Sequence, residues 1–171
     1  MITKELITGM MPNIHNLDLL FPFLVDSCTK YEINTPNREN CFLAQIAVES
    51  GEFRYLKELA SGNEYEGRID LGNIEPGDGI KFKGRGLIQI TGRANYQLIS
   101  NDFNVDFISN PELLETPQYA TQSACWFWNL RHLNPLADQE NFVLITKRIN
   151  GGTNGLIQRE TYWQKAKILN P

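Results

Sequence analysis

An apolar run that ends in a carboxylate and then a glycine, NCFLAQIAVESGEF over residues 40–53, constrains this chain more than any other stretch. Asn34-Thr35-Pro36 carries the start signals of a helix, with Thr35 as N-cap and Pro36 at the first position. Phe42, Leu43, Ile46 and Ala47 recur at helical spacing, so this helix has to drive an apolar face into a core. It runs to about Ser50, and Gly51 stops it. Glu49 follows directly on Ala47-Val48. A carboxylate there is costly unless it is paired or sits at the rim of a cleft. A carboxylic acid in a partly apolar cleft is also what a general acid near neutral pH requires. The stretch alone leaves open the plainer reading, in which Glu49 ends the helix on its solvent side.

Glu58 lies nine residues beyond Glu49. On one continuous helix that is about 900°, half a turn out of phase, and the two carboxylates could not face each other. A break at Gly51 lets residues 53–59 fold back and present Glu58 across a cleft. Glu52 would share a face with Glu49 only if the helix continued.

The 171 residues are 42% hydrophobic, enough for one domain with a sizeable core, divided by a cleft into two lobes. Sixteen Lys and Arg against twenty Asp and Glu give a net charge of −4, which argues against a dedicated nucleic-acid binder. Cys28, Cys41 and Cys125 form no CxxC pair, and His15 and His132 are the only histidines. Buried reduced thiols, surface histidines and no metal site are expected. The N-terminus lacks the pattern of a secretory signal. No stretch has the ~18 apolar residues of a membrane span. A cytoplasmic location is therefore expected, with a separate means of release if the target lies outside.

In chain order, residues 3–10 suit a short helix ending at Gly9. Residues 16–31 suit a second, kinked or restarted at Pro22. Residues 60–83 are dense in Gly, Asp, Asn and Pro and read as an ordered loop or small β-lobe over the site, with a flexible insertion as the alternative. Leu87, Ile88 and Ile90 read as a short buried strand, with Gln89 and Thr91 on its other face. Thr91 can cap the next helix, whose Asn95 and Tyr96 would add to a polar sugar-binding wall. Residues 118–131 form the most aromatic helix, with Ala120, Ala124, Phe127 and Trp128 expected in the core rather than stacked on sugar. Helices over Phe142–Ile149 and Leu156–Leu169 flank the glycine-rich break at 150–155. The total is about seven helices and a small β-region.

Three blocks together resemble glycoside hydrolase family 19, the chitinases and related bacteriophage endolysins: FLAQIAVESGEF, YEGRIDLGNIEPGDGIKFKGRGLIQITGRANY and INGGTNGLIQR. The resemblance implies a mainly α (α+β, lysozyme-like) fold: two helical lobes around a substrate cleft, with a small β-hairpin region, in a single domain over residues 1–171. It implies inverting hydrolysis of a β-1,4 bond beside an N-acetylated amino sugar. By the same resemblance Glu49 is the general acid, Glu58 the general base, and Thr91 the hydroxyl that holds the attacking water. Gln89, Asn95 and Asn150 match sugar-binding positions. Arg159 and Arg68 are candidates to pair with the carboxylates or line the cleft.

Two positions depart from the family pattern. Val48 stands where His is frequent, and Ala94 stands where plant members have Tyr. The short Glu49–Glu58 spacing is similar to the compact endolysin type. The expected function is a peptidoglycan-cleaving phage endolysin, monomeric, needing no cofactor and released through a holin lesion. It would be made in the host cytoplasm and act in the periplasm. The alternatives are a chitinase, a catalytically dead glycan-binding protein and a structural phage protein.

Overall fold

A computed structural model describes residues 1–171 as nine α-helices and three short 3₁₀ turns. The helices are α1 (Lys4–Met10), α2 (Leu17–Lys30), α3 (Pro36–Glu49), α4 (Asp78–Lys81), α5 (Arg93–Phe103), α6 (Pro117–Leu130), α7 (Asn134–Asp138), α8 (Phe142–Asn150) and α9 (Leu156–Leu169). The 3₁₀ turns are Asn63–Tyr65, Ile69–Leu71 and Pro111–Glu115. No helix is long and apolar enough to cross a membrane.

Helix α3 is the centre of the molecule. Its start is as expected: Pro36 at the first position, and Thr35 Oγ1 accepting from Arg38 N. Its burial exceeds expectation, because every residue from Glu39 to Ala47 is inside rather than one apolar face. A helix enclosed on all sides needs partners on all sides. Helices α9 and α7 pack against it, and Phe42 meets Trp128 of α6 edge-on, with ring centroids 5.4 Å apart.

Helix α2 packs on α6, bringing Cys28 Sγ to 3.7 Å from Cys125 Sγ, both reduced. It continues through Pro22 without a restart. Pro22 is exposed, so the carbonyl it leaves without a partner, that of the exposed Asp18, faces water. On α6, Ala120, Ala124 and Trp128 are buried as expected. Trp126 takes the place expected of Phe127, which is only half-buried and carries Arg131 over its ring.

Residues 60–83 contain no strands. They form two of the 3₁₀ turns and α4, tied together by side chains that cap backbone amides. Glu66 accepts from Gly77 N and Gly79 N at 2.7 and 2.8 Å. Asp78 accepts from Ile74 N and Glu75 N, and its two oxygens also take the guanidinium of Arg93 at 2.6 and 2.7 Å. That guanidinium and the two amides hold the Asp78 carboxyl below its usual range.

The expected β-region is reduced to two isolated antiparallel bridges, Lys57 with Arg85 and Arg85 with Ile90. Leu87, Ile88 and Ile90 are buried as predicted, yet residues 86–89 are the turn between Arg85 and Ile90 and not a strand. Periodicity reports which side chains are buried, and a tight turn with its side chains folded inward gives the same signal.

Candidate active site

The site begins where α3 stops. Gly51, Glu52 and Phe53 all take left-handed backbone conformations, with φ of 58°, 57° and 65°. Glycine adopts this region freely, but Glu and Phe must be held there. Phe53 is held by full burial and by donating its N–H to Ser50 Oγ at 2.9 Å. Glu52 is held by two short hydrogen bonds, from Tyr162 Oη at 2.5 Å and Asn13 N at 2.6 Å. Its carboxylate is therefore turned into the packing between α9 and the N-terminal segment.

Glu49, the last residue of α3, keeps its side chain 18% exposed and pairs with Arg159 Nη2 at 2.5 Å. Arg159 is buried on α9, and its second nitrogen donates to Gln45 Oε1 at 2.7 Å. Gln45 in turn donates to Thr146 of α8. Three helices thus fix the guanidinium that holds Glu49. Val48, beside it, faces the loop before α9, where a Cβ added at Gly155 would come 3.6 Å from Val48 Cγ1. Nothing in the structure accounts for Val rather than His there.

Glu58 is placed by the two bridges. Pairing of Lys57 with Arg85 sets Glu58 opposite Gly84, and pairing of Arg85 with Ile90 sets Gly84 opposite Thr91. Glu58, Gly84 and Thr91 therefore form one row across three short segments. Glu58 Oε2 accepts from Gly84 N at 3.0 Å and Oε1 from Tyr65 Oη at 2.8 Å. Burial and the Glu58 carboxylate push the Tyr65 phenol up to about 12, so it remains a donor across the neutral range. A side chain at Gly84 would bring a Cβ to 2.7 Å from Gln89 Oε1 and 3.2 Å from Glu58 Oε2. Gln89 therefore reaches the same spot, with its amide nitrogen donating to Gly86 O at 2.8 Å.

Thr91 is half-buried and donates its hydroxyl proton to Gln89 O at 2.9 Å. It does not cap α5. The amide of Arg93 is accepted by Asn73 Oδ1 instead, at 2.8 Å. With its hydrogen committed, the Thr91 oxygen can only accept from a further partner. Asn95 donates to Thr91 O, which leaves its own oxygen facing outward from the first turn of α5. Asn150 closes the 150–155 loop by donating to Asn154 O and accepting from Gly152 N.

Two expected site residues lie elsewhere. Tyr96 is fully buried. Its hydroxyl donates to Lys83 O at 2.7 Å and accepts from Arg85 Nη1 at 2.9 Å, so it supports the bridge region from within the core. Arg68 pairs with its near neighbour Asp70 at 2.6 Å, not with Glu49 or Glu58. Conversely, Tyr65 and Gln45 had no assigned role in the sequence. Tyr65 sits in the YEGR block seven residues after Glu58, and that short separation was the available signal.

The chemistry this arrangement offers is that of two carboxylates in different settings. One is gripped by a buried cation, and the other is held by neutral donors beside an acceptor hydroxyl.

Comparison with known proteins agrees with the geometry. Residues 40–154 match the glycoside hydrolase family described as chitinase class I. Endochitinase At2g43620 of Arabidopsis thaliana is 39% identical over 111 residues, covering 64% of this chain and 38% of that protein. A glycosyl hydrolase family 19 domain-containing protein of Haemophilus influenzae is 36% identical over 102 residues, covering 60% of this chain and 49% of that protein. The chain thus spans less than half the length of these relatives. Chitinase C of Streptomyces griseus superposes with a TM-score of 0.79 at 22% identity, covering 98% of this chain and 76% of that one. At that identity the likeness is one of fold, and it matches the lysozyme-like, mainly α architecture.

Proposed function

Because the chain belongs to glycoside hydrolase family 19, the chitinase class I family, we propose that it hydrolyses β-1,4 bonds in the glycan strands of peptidoglycan by an inverting two-carboxylate mechanism. The observation that carries the mechanism is the row Glu58–Gly84–Thr91, read together with Glu49 at the end of α3. In the proposed reaction Glu49 gives its proton to the glycosidic oxygen as the bond to the anomeric carbon breaks. A water attacks that carbon from the opposite face and passes its proton to Glu58. One water O–H points to Glu58 and the other to the accepting Thr91 oxygen, which leaves a lone pair for the anomeric carbon. Proton donation leaves Glu49 anionic, and the Arg159 guanidinium is already in contact to stabilise that charge. Gln89, Asn95 and the 150–155 loop supply amide groups suited to sugar hydroxyls and acetamido groups. Glu52 is unsuited to the base role because both its oxygens are engaged away from this row.

The biological setting we propose is that of a phage endolysin, made in the host cytoplasm and admitted to the wall through a holin lesion. The compact connection between Glu49 and Glu58 supports it. Glu49→Gln should lower turnover of purified peptidoglycan about 10²- to 10⁴-fold and abolish lysis of permeabilised Gram-negative cells, with an unchanged circular dichroism spectrum. Retained lysis would remove the assignment. A second reading, hydrolysis of chitin, is favoured by the plant relatives, which are named endochitinases. Digesting peptidoglycan and chitin oligomers side by side decides between them, since new reducing ends from chitin alone would select the second reading.

A further inference from the structure

A cavity of about 620 Å³ opens between the C-terminal end of α3, the N-terminal segment and α9. Its walls come from the left-handed turn (Glu52, Arg54, Tyr55), from the N-terminal segment (His15) and from α9 (Gln158, Tyr162). Gln158 directly precedes Arg159, the residue that grips Glu49, so cavity and carboxylate share two walls. Tyr55 links the cavity to the row of Glu58, its carbonyl accepting from Gln89 Nε2 at 3.5 Å.

The fold has left the polar groups of this cavity unevenly engaged. Both Glu52 oxygens accept short hydrogen bonds from within the protein. Burial and the Glu52 carboxylate push the Tyr162 phenol up to about 12, which keeps it donating inward. Arg54, by contrast, is exposed at the rim, has no ion-pair partner and lies over the Tyr55 ring at 5.8 Å. In a chain with more acids than bases, an unpaired cation, Arg54, and the neutral donor Gln158 thus line one hollow. A free cation beside an internally satisfied carboxylate favours an anionic guest with amide groups.

Chitin offers no anion, whereas peptidoglycan carries on alternate sugars a lactyl-linked peptide that bears carboxylates. We infer that this cavity is a binding site for the acidic peptide stem of a muramoyl residue, and that Arg54 takes a stem carboxylate. The inference rests on the glycan-hydrolase reading above and extends it. It makes the stem a determinant of substrate choice, while bond cleavage stays with Glu49 and Glu58.

Binding can be measured separately from turnover, by titrating muramoyl dipeptide and, as neutral control, chitotriose into wild type, Arg54→Ala and Arg54→Glu. Arg54→Ala should weaken the muramoyl peptide about fivefold and Arg54→Glu about tenfold or more, with chitotriose unchanged by either. The wild-type affinity for the muramoyl peptide should also fall with added salt. The Arg54 side chain makes no hydrogen bond or ion pair, so both variants should melt as wild type does. Absence of muramoyl-peptide binding by wild type, or equal effects of the variants on both ligands, would overturn the proposal. Digestion of intact and amidase-stripped peptidoglycan adds the second arm. Wild type should prefer the intact form, and Arg54→Ala should lose that preference through KM with kcat retained. If wild type cuts neither form, the hydrolase reading fails, while the binding titration still judges the cavity.

Discussion

At the scale of single residues, Gly84 is the glycine that the site's own side chains crowd. It sits between Glu58 and Thr91, and the space its missing side chain leaves is filled by Gln89 Oε1 and Glu58 Oε2. Gly84→Ala would push both oxygens outward by several tenths of an ångström or more, with the backbone of the row still paired. A misplacement of this size at a reacting group costs far more in rate than in stability. We expect kcat to fall about 10²-fold while stability changes by about 1–3 kcal/mol. Paired kinetic and urea-denaturation measurements check this, and a variant of wild-type activity would place Glu58 outside the reaction. The position of Glu49 at the end of α3 was legible in the sequence because local signals place it: a cap, an apolar run and a glycine stop. Glu58, Gln89 and Thr91 were reached through the family blocks and not through the strand and cap read locally. Tyr96 and Arg68 were misread for the opposite reason. Whether a tyrosine on the first turn of α5 faces a cleft or a core depends on Arg85 and Lys83 arriving from elsewhere. Asp70, two residues on, outcompetes any distant carboxylate for Arg68.

At the scale of elements, α9 serves the site as well as the core. Arg159 joins it to α3 through Glu49 and Gln45, and Gln45 joins α3 to α8 through Thr146. Arg159→Ala leaves the fully buried Gln45 oxygen without a donor and Glu49 without its cation. Removing one partner of a buried charged network costs much more than the network's net contribution. The expected loss is about 3 kcal/mol of unfolding free energy, read from the urea midpoint. Arg159→Lys should recover only part of it, since a single ammonium cannot reach both oxygens with the planar fork of a guanidinium. If Ala and Lys were equally tolerated, the network would be peripheral. The sequence foretold α3 and α9 to within a residue or two, through Thr35-Pro36, Gly51 and Gly155. It did not foretell that the turn after α3 places Glu52 and Phe53, as well as Gly51, in left-handed conformations. That strain is supported by Tyr162 and Asn13, which are distant in sequence and give no local signal.

At the scale of the whole molecule, the two lobes share one interior. Ile7 and Met10 of α1, Phe42 and Ile46 of α3, Tyr96 and Ile99 of α5 and Trp128 of α6 belong to a single cluster of buried apolar side chains. The three tryptophans report on different parts of it. Trp126 of α6 donates to Asp102 of α5 at 2.7 Å, tying the two helices together. Trp128 donates to Asn134 of α7, and Trp163 of α9 stacks on Phe142 of α8 with centroids 4.5 Å apart. A chain whose lobes had separate cores would lose these environments in sequence. One shared core predicts that they are lost together. Three variants, each retaining one tryptophan, should give fluorescence transitions in urea that coincide with one another and with the far-ultraviolet circular dichroism transition. An earlier transition at Trp126 alone would show that the contact of α6 with α5, the helix that follows Thr91, opens independently of α3. The alignment of Glu58 with Glu49 would then be a property of a fluctuating pair of lobes. Coincident transitions would instead mean that a destabilising change anywhere in the cluster lowers the population of the intact site only through global unfolding.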